Sequence, residues 1–110
     1  MKQEKPKGDI EMSATCVANG PGEGATLSSD IAIVLGEGIT IIGAEVLVNG
    51  EPSANPPEPD GGNPAPGEGG TYRYTWSELA DCGASYTLQT VFELQSEERS
   101  GDYSVTCPSC

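Results

Sequence analysis

Two runs near the end of the chain alternate between apolar and polar residues, and this alternation constrains the fold more than any other feature. One face of the first run carries Tyr86, Leu88, Thr90, Phe92 and Leu94. One face of the second run carries Tyr103, Val105 and Cys107. A period of two predicts half-buried strands, because successive side chains of a strand point to opposite faces. The connector at 96–101 is short and polar, so the two runs are predicted to form a β-hairpin.

The earlier part of the chain predicts more strands and no sustained helix. Residues 9–17 alternate, and 26–35 form a second, more apolar strand. A third strand at 39–48 changes its apolar register around Gly43, which predicts a β-bulge there. An aromatic strand follows, with one face formed by Tyr72, Tyr74 and Trp76. Residues 77–85 are the one place where a single helical turn is expected.

A chain of 110 residues is expected to form one domain. Residues 1–8 are predicted to be a flexible basic arm, and 9–110 a single β-sandwich domain. Within that domain, 49–70 is dense in proline, glycine, asparagine and acidic residues. This composition predicts a long mobile loop without strand or helix, and a sandwich that is indifferent to the length of the loop.

Short strands separated by turns predict an all-β fold, an antiparallel immunoglobulin-like β-sandwich of about six to seven strands. Three motifs carry a resemblance to a family: PDG at 59–61, YTW at 74–76 and GDYSVT at 101–106. Through these motifs the chain resembles, over about half of its length, the immunoglobulin-like modules of bacterial surface and secreted proteins, including polycystic-kidney-disease-like domains. The resemblance implies a non-enzymatic extracellular module. Antibody-type domains place a tryptophan shortly after the first cysteine, whereas Cys16 and Trp76 are far apart in this chain.

Four cysteines in an acidic chain without histidine favour disulfide bonds and an oxidising compartment, either extracellular or at the cell surface. If the first strand runs parallel beside the last, Cys16 comes level with Cys107. The hairpin then brings Cys110 close to the level of Cys82, so the favoured pairs are Cys16–Cys107 and Cys82–Cys110. The alternative pairing of Cys16 with Cys82 would close 107–110 into a small strained ring. The favoured reading is thus a sandwich stapled by two disulfides.

The net charge of −12 is unevenly distributed, because Lys2, Lys5 and Lys7 lie in the first seven residues. The only later basic residues are Arg73 and Arg99. An anionic body is expected to repel nucleic acid and anionic membranes, and no apolar run is long enough to span a bilayer. We therefore expect no nucleic-acid partner and no membrane insertion. The three lysines are predicted to form an assembly arm that contacts a neighbouring copy.

The residues predict no catalytic centre. Histidine is absent, the serines have no neighbouring base, and no spacing distinguishes a carboxylate pair. Two candidate binding sites remain. Tyr72, Tyr74 and Trp76 form either a stacking platform for a glycan or the core face of one strand. A candidate cation loop offers oxygen ligands of the kind that calcium prefers, although the same groups could simply be solvated. Its residues are Glu58, Asp60, Asn63 and Glu68. No other cofactor is expected.

These observations predict a non-enzymatic structural, adhesion or assembly module that binds protein partners or itself. Two alternatives are a carbohydrate-binding module and a subunit of an extracellular filament or virion surface. The first alternative depends on the aromatic strand, and the second on the basic arm.

Overall fold

A computed structural model describes residues 10–95 and 97–109 of the chain. Within these residues the regular structure consists of eight strands and no helix. The strands are β1 (Ile10–Ala18), β2 (Ala25–Leu35), β3 (Ile41–Val48), β4 (Glu51–Pro52), β5 (Glu58–Pro59), β6 (Gly70–Ala80), β7 (Ser85–Leu94) and β8 (Glu98–Thr106). The described part therefore also contains no helix that is long and apolar enough to cross a membrane.

The strands form two four-stranded antiparallel sheets that pack together as a β-sandwich. The first sheet has the order β1-β2-β6-β5, and the second has the order β4-β3-β7-β8. The predicted all-β, disulfide-stapled sandwich is confirmed. The helical turn expected at 77–85 is wrong, because β6 continues to Ala80 and remains paired with β2 as far as Ala25. The chain then reverses through Gly83, whose φ of 78° is in the left-handed region that favours glycine.

The core lies between the central strands of the two sheets. Its fully buried side chains include Leu27 and Ile33 from β2 and Leu88 and Phe92 from β7. The predicted alternation of β7 is confirmed, because every second residue from Leu88 to Leu94 is buried. Thr90 belongs to this buried set, and its hydroxyl has no hydrogen-bond partner within the described residues.

The register of β3 changes between Ile41 and Gly43, which confirms the predicted bulge. A Cβ atom at Gly43 would lie 3.2 Å from Oε1 of Glu93 on the paired strand. The absence of a side chain therefore permits the close approach of β3 and β7 at this point. Ile42, which lies between Ile41 and Gly43, is 61% exposed, whereas Ile41 packs against the core.

The first and last strands belong to different sheets but run side by side in the same direction. Gly101 lies against Ile10, since a Cβ atom at Gly101 would be 2.9 Å from Cγ2 of Ile10. Further along, a disulfide joins Cys16 to Cys107, with 5.0 Å between their Cα atoms. The predicted parallel arrangement and the predicted Cys16–Cys107 bond are both confirmed. The edge strands of the two sheets are thus joined by a covalent bond.

The segment 49–70 is not the structureless loop that its composition predicts. It contains β4 and β5, each two residues long. The backbone of β5 pairs with Tyr74 and Thr75 of β6. Asn63 contacts the backbone of Arg73 through both ends of its amide, at 2.9 and 2.8 Å. The stability of the sandwich is therefore expected to depend on this segment, because it covers one edge of the first sheet.

Candidate functional site

The outer face of the first sheet presents the side chains that alternate with the core residues. Cross-strand pairing arranges them in rows that run from β1 to β5. One row consists of Ser13, Asp30, Thr75 and Glu58. The next row consists of Glu11, Ala32, Arg73 and Asp60. Asp60 joins its row because its backbone N–H donates to the carbonyl of Arg73 at 2.9 Å.

These rows form an open groove of about 860 Å³, which we call the outer groove. Its polar lining is Glu11, Ser13, Asp30, Asp60, Arg73 and Thr75, and the neighbouring strand β8 adds Gly101 and Asp102. Ala32 is only 8% exposed although it faces outwards, so the longer side chains around it form the walls. The outer groove therefore combines these polar and charged groups with an apolar part of the lining, formed by Ile10, Met12, Ile31, Ala32 and Tyr74.

The outer groove carries more negative than positive charge. Glu11, Asp30, Asp60 and Asp102 contribute carboxylates, whereas Arg73 is the only cationic side chain in its lining. In the part of the chain that the structure describes, the one ion pair joins Arg99 to Glu97 at 2.5 Å. The groove carboxylates thus have no ion-pair partner there. Asp60 accepts a hydrogen bond from the backbone N–H of Gly62 at 3.0 Å.

The structure does not assemble the candidate cation loop into a metal-binding group. Among the described residues, no three His, Cys, Asp or Glu side chains are placed to hold a metal ion. Pairing of β5 with β6 puts Glu58 and Asp60 on the outer face, and the Asn63 amide is occupied by the Arg73 backbone. The backbone carbonyl of Glu68 accepts a hydrogen bond from the Tyr72 hydroxyl. The four residues therefore have separate roles.

The candidate aromatic platform lies mainly inside the sandwich. Tyr72 is 6% exposed, Trp76 is 4% exposed and Tyr74 is half-buried. The indole N–H of Trp76 donates to the carbonyl of Asn55 at 2.9 Å, and the Tyr72 hydroxyl donates to the carbonyl of Ala65 at 2.8 Å. Rings held in this way form the core face of β6, which was the other interpretation of the aromatic spacing. They do not present a flat exposed surface to a sugar.

Tyr74 is the titratable side chain with the clearest effect of its environment. Its ring packs against Phe92 with 5.2 Å between ring centroids. Burial raises the pKa of Tyr74 above the ordinary value of 10.0, and the neighbouring Tyr72 raises it further. Both causes favour the neutral phenol in the folded protein.

This raised pKa predicts a loss of stability in alkaline solution. The folded protein binds the Tyr74 proton more tightly than the unfolded chain, so its contribution is complete below pH 10.0 and is lost as the pH rises through the folded-state pKa. Tyr74→Phe is expected to make the decline in the free energy of unfolding between about pH 9 and 12 less steep. Urea denaturation at each pH measures this free energy of unfolding. Tyr103→Phe, at a position 41% exposed, is the matched control and should leave the decline unchanged. Identical profiles for wild type and Tyr74→Phe would contradict the assignment.

The remaining predicted site residues concern the cysteines and the basic arm. Cys82 is disulfide-bonded, as expected, and no described cysteine is free. Its predicted partner Cys110 lies outside the described residues, as do Lys2, Lys5 and Lys7. The pairing of Cys82 with Cys110 and the assembly arm therefore stay predictions.

Sequence reasoning did not find the outer groove. Its lining comes from β1, β2, β6 and β8 and from Asp60, which follows β5, and these parts lie far apart in the chain. The available signal was the polar half of the alternation, in particular Glu11, Ser13, Asp30, Arg73 and Thr75. No protein-family model matches the chain, and no curated protein or solved structure is detectably similar to it.

Proposed function

We propose that this chain is a non-enzymatic structural module of an extracellular or cell-surface protein. In this role it separates or connects other parts of an assembly and presents its faces to protein partners. Disulfide bonds are compatible with such a location, because they persist in oxidising compartments. The absence of histidine from the sequence also favours a structural role over acid–base catalysis near neutral pH.

The observation that carries the proposal is the position of the Cys16–Cys107 disulfide. It joins the first strand to the end of the last strand, across a sequence separation of 91 residues. When the two ends of the chain are pulled apart, the force passes from Cys16 directly to Cys107. Strands β2 to β7 then bear no load, and the sandwich cannot be extended while this bond is intact. Resistance to extension is the property that a spacer or adhesion module needs.

Single-molecule force spectroscopy tests this role, with the chain placed between two reference domains. Under oxidising conditions we expect no extension from the residues enclosed by the bond. After reduction, unfolding should release a contour length on the order of 300 Å, from about 3.3–3.6 Å per residue. The reference domains serve as the internal control, since their unfolding lengths should be the same in both conditions. Full extension of the chain without reductant would overturn the proposal.

The carbohydrate-binding alternative has less support than the structural role. Its motivating feature was the aromatic strand, and Tyr72 and Trp76 are buried with their polar atoms bonded to 49–70. The filament alternative is compatible with the structural role, because a load-bearing module can also associate with copies of itself.

A further inference from the structure

We propose that the outer groove binds the lysine-bearing segment 1–8 of a second copy of this chain. The inference deepens the proposed structural function, on which it rests, by naming the surface through which modules associate. The occupant of the outer groove is then an extended basic segment.

Charge complementarity is the first argument. The lining of the outer groove contains four carboxylates and a single cation, and these carboxylates have no ion-pair partner in the described residues. Lys2, Lys5 and Lys7 are three of the five basic residues in the chain. Segment 1–8 is therefore the part of the chain whose charge best complements the outer groove.

The spacing of the charged groups is the second argument. Asp30 lies on the strand next to Glu11, two residues from Ala32, which is the partner of Glu11. For ordinary strand dimensions, the positions of Glu11 and Asp30 are therefore roughly 8 Å apart. Asp60 lies two strands further across the sheet and two residues along, roughly 12 Å from Asp30. In an extended segment, lysines two and three residues apart are separated by about 7 and 10 Å. Flexible lysine side chains can accommodate the remaining difference.

The direction of β1 favours a second copy over the same molecule. Ile10 borders the outer groove, and β1 runs from it towards Ser13. Segment 1–8 precedes Ile10 in the sequence, so binding in the groove of its own molecule would require the chain to reverse its direction immediately before β1. Binding in the groove of a neighbour does not require this reversal. Such a contact between different surfaces leaves one segment and one groove unused, so association continues from copy to copy.

Sedimentation equilibrium of the intact chain measures this association. We expect self-association at about 20 mM salt that weakens at least tenfold at about 300 mM, because exposed charge pairs are screened. Replacing Lys2, Lys5 and Lys7 with glutamine should weaken it at least tenfold at low salt. Glu11→Gln combined with Asp30→Asn should have the same effect. The matched control, Glu45→Gln combined with Glu98→Gln, removes two exposed carboxylates from the other sheet and should change the affinity less than twofold.

Zero-length cross-linking of lysine to carboxylate identifies the contact and the copy that provides it. A mixture of isotopically light and heavy chains should give light–heavy products that join the lysines to Glu11, Asp30 or Asp60. If every cross-linked product joined groups of the same isotopic label, the segment would be bound in the groove of its own molecule. That result would overturn the proposal. An equal loss of affinity in the control variant would also overturn it, because that result would show a diffuse attraction of the lysines to the whole anionic body. Circular dichroism of each variant checks the fold, and the force measurement on single molecules remains independent of either outcome.

Discussion

Replacing both Cys16 and Cys107 with serine is expected to lower the free energy of unfolding by about 4–5 kcal/mol. The bond closes a loop with a sequence separation of 91 residues, and a long loop loses the most conformational entropy in the unfolded chain when it is cross-linked. Since small domains are stable by only about 5–15 kcal/mol, the loss is a large part of the total. Urea denaturation of oxidised wild type and of the double variant measures it.

The denaturant dependence provides a control within the same experiment. Without the cross-link the unfolded chain exposes more surface, so the slope of the free energy against urea should increase. Both cysteines are replaced because a single replacement would leave a reactive thiol. A loss below about 1 kcal/mol would show that the packing of Ile10 against Gly101 is sufficient to hold β1 beside β8.

Trp76→Ala is expected to destabilise the protein by about 3–5 kcal/mol. The side chain is 4% exposed, so its removal leaves a cavity between the sheets. The Asn55 carbonyl would also lose its indole donor. Trp76→Phe separates the two effects, since it retains most of the ring and should cost about 1–2 kcal/mol for the missing hydrogen bond and volume. Leu79→Ala on the same strand, where the side chain is 76% exposed, is the control and should cost less than about 0.5 kcal/mol.

Fluorescence gives a second measurement at this residue, because the chain has a single tryptophan. A buried indole should emit at shorter wavelength than the unfolded chain and should not respond to added oligosaccharides. Emission at long wavelength that is quenched by a glycan would contradict the core position of Trp76. The carbohydrate-binding alternative would then replace the structural role.

The longer strands were predictable because their patterns are local. Alternation from Tyr86 to Leu94 identifies β7 and its buried face without knowledge of any neighbour. The slip at Gly43 is likewise visible in the order of apolar residues. The pairing of Cys16 with Cys107 needed one further assumption, that the first strand runs parallel to the last, and the two strands do run in the same direction.

The features that were missed depend on residues that are distant in sequence. Proline and glycine in 49–70 predict a loop, but β5 forms because Glu58 and Pro59 find the free edge of β6. Only the folded chain shows that edge. The outer groove has the same origin, since Glu11, Asp30 and Asp60 become neighbours only through the register of three strand pairs. An alternating pattern shows which side chains face outwards but does not show which of them meet.

The side-by-side position of β1 and β8 has a consequence for biosynthesis. Antiparallel pairing of β1 with β2 can begin early, because the two strands are adjacent in the chain. Cys16 has no native bonding partner until the ribosome has added a further 91 residues, since Cys107 follows it by 91 positions. Contacts of such high sequence separation form slowly. We therefore expect the nascent domain to carry a reduced Cys16 and an open edge on β1 until β8 is complete. A chaperone that shields this open edge would therefore have to stay bound to β1 until β8 has been synthesised.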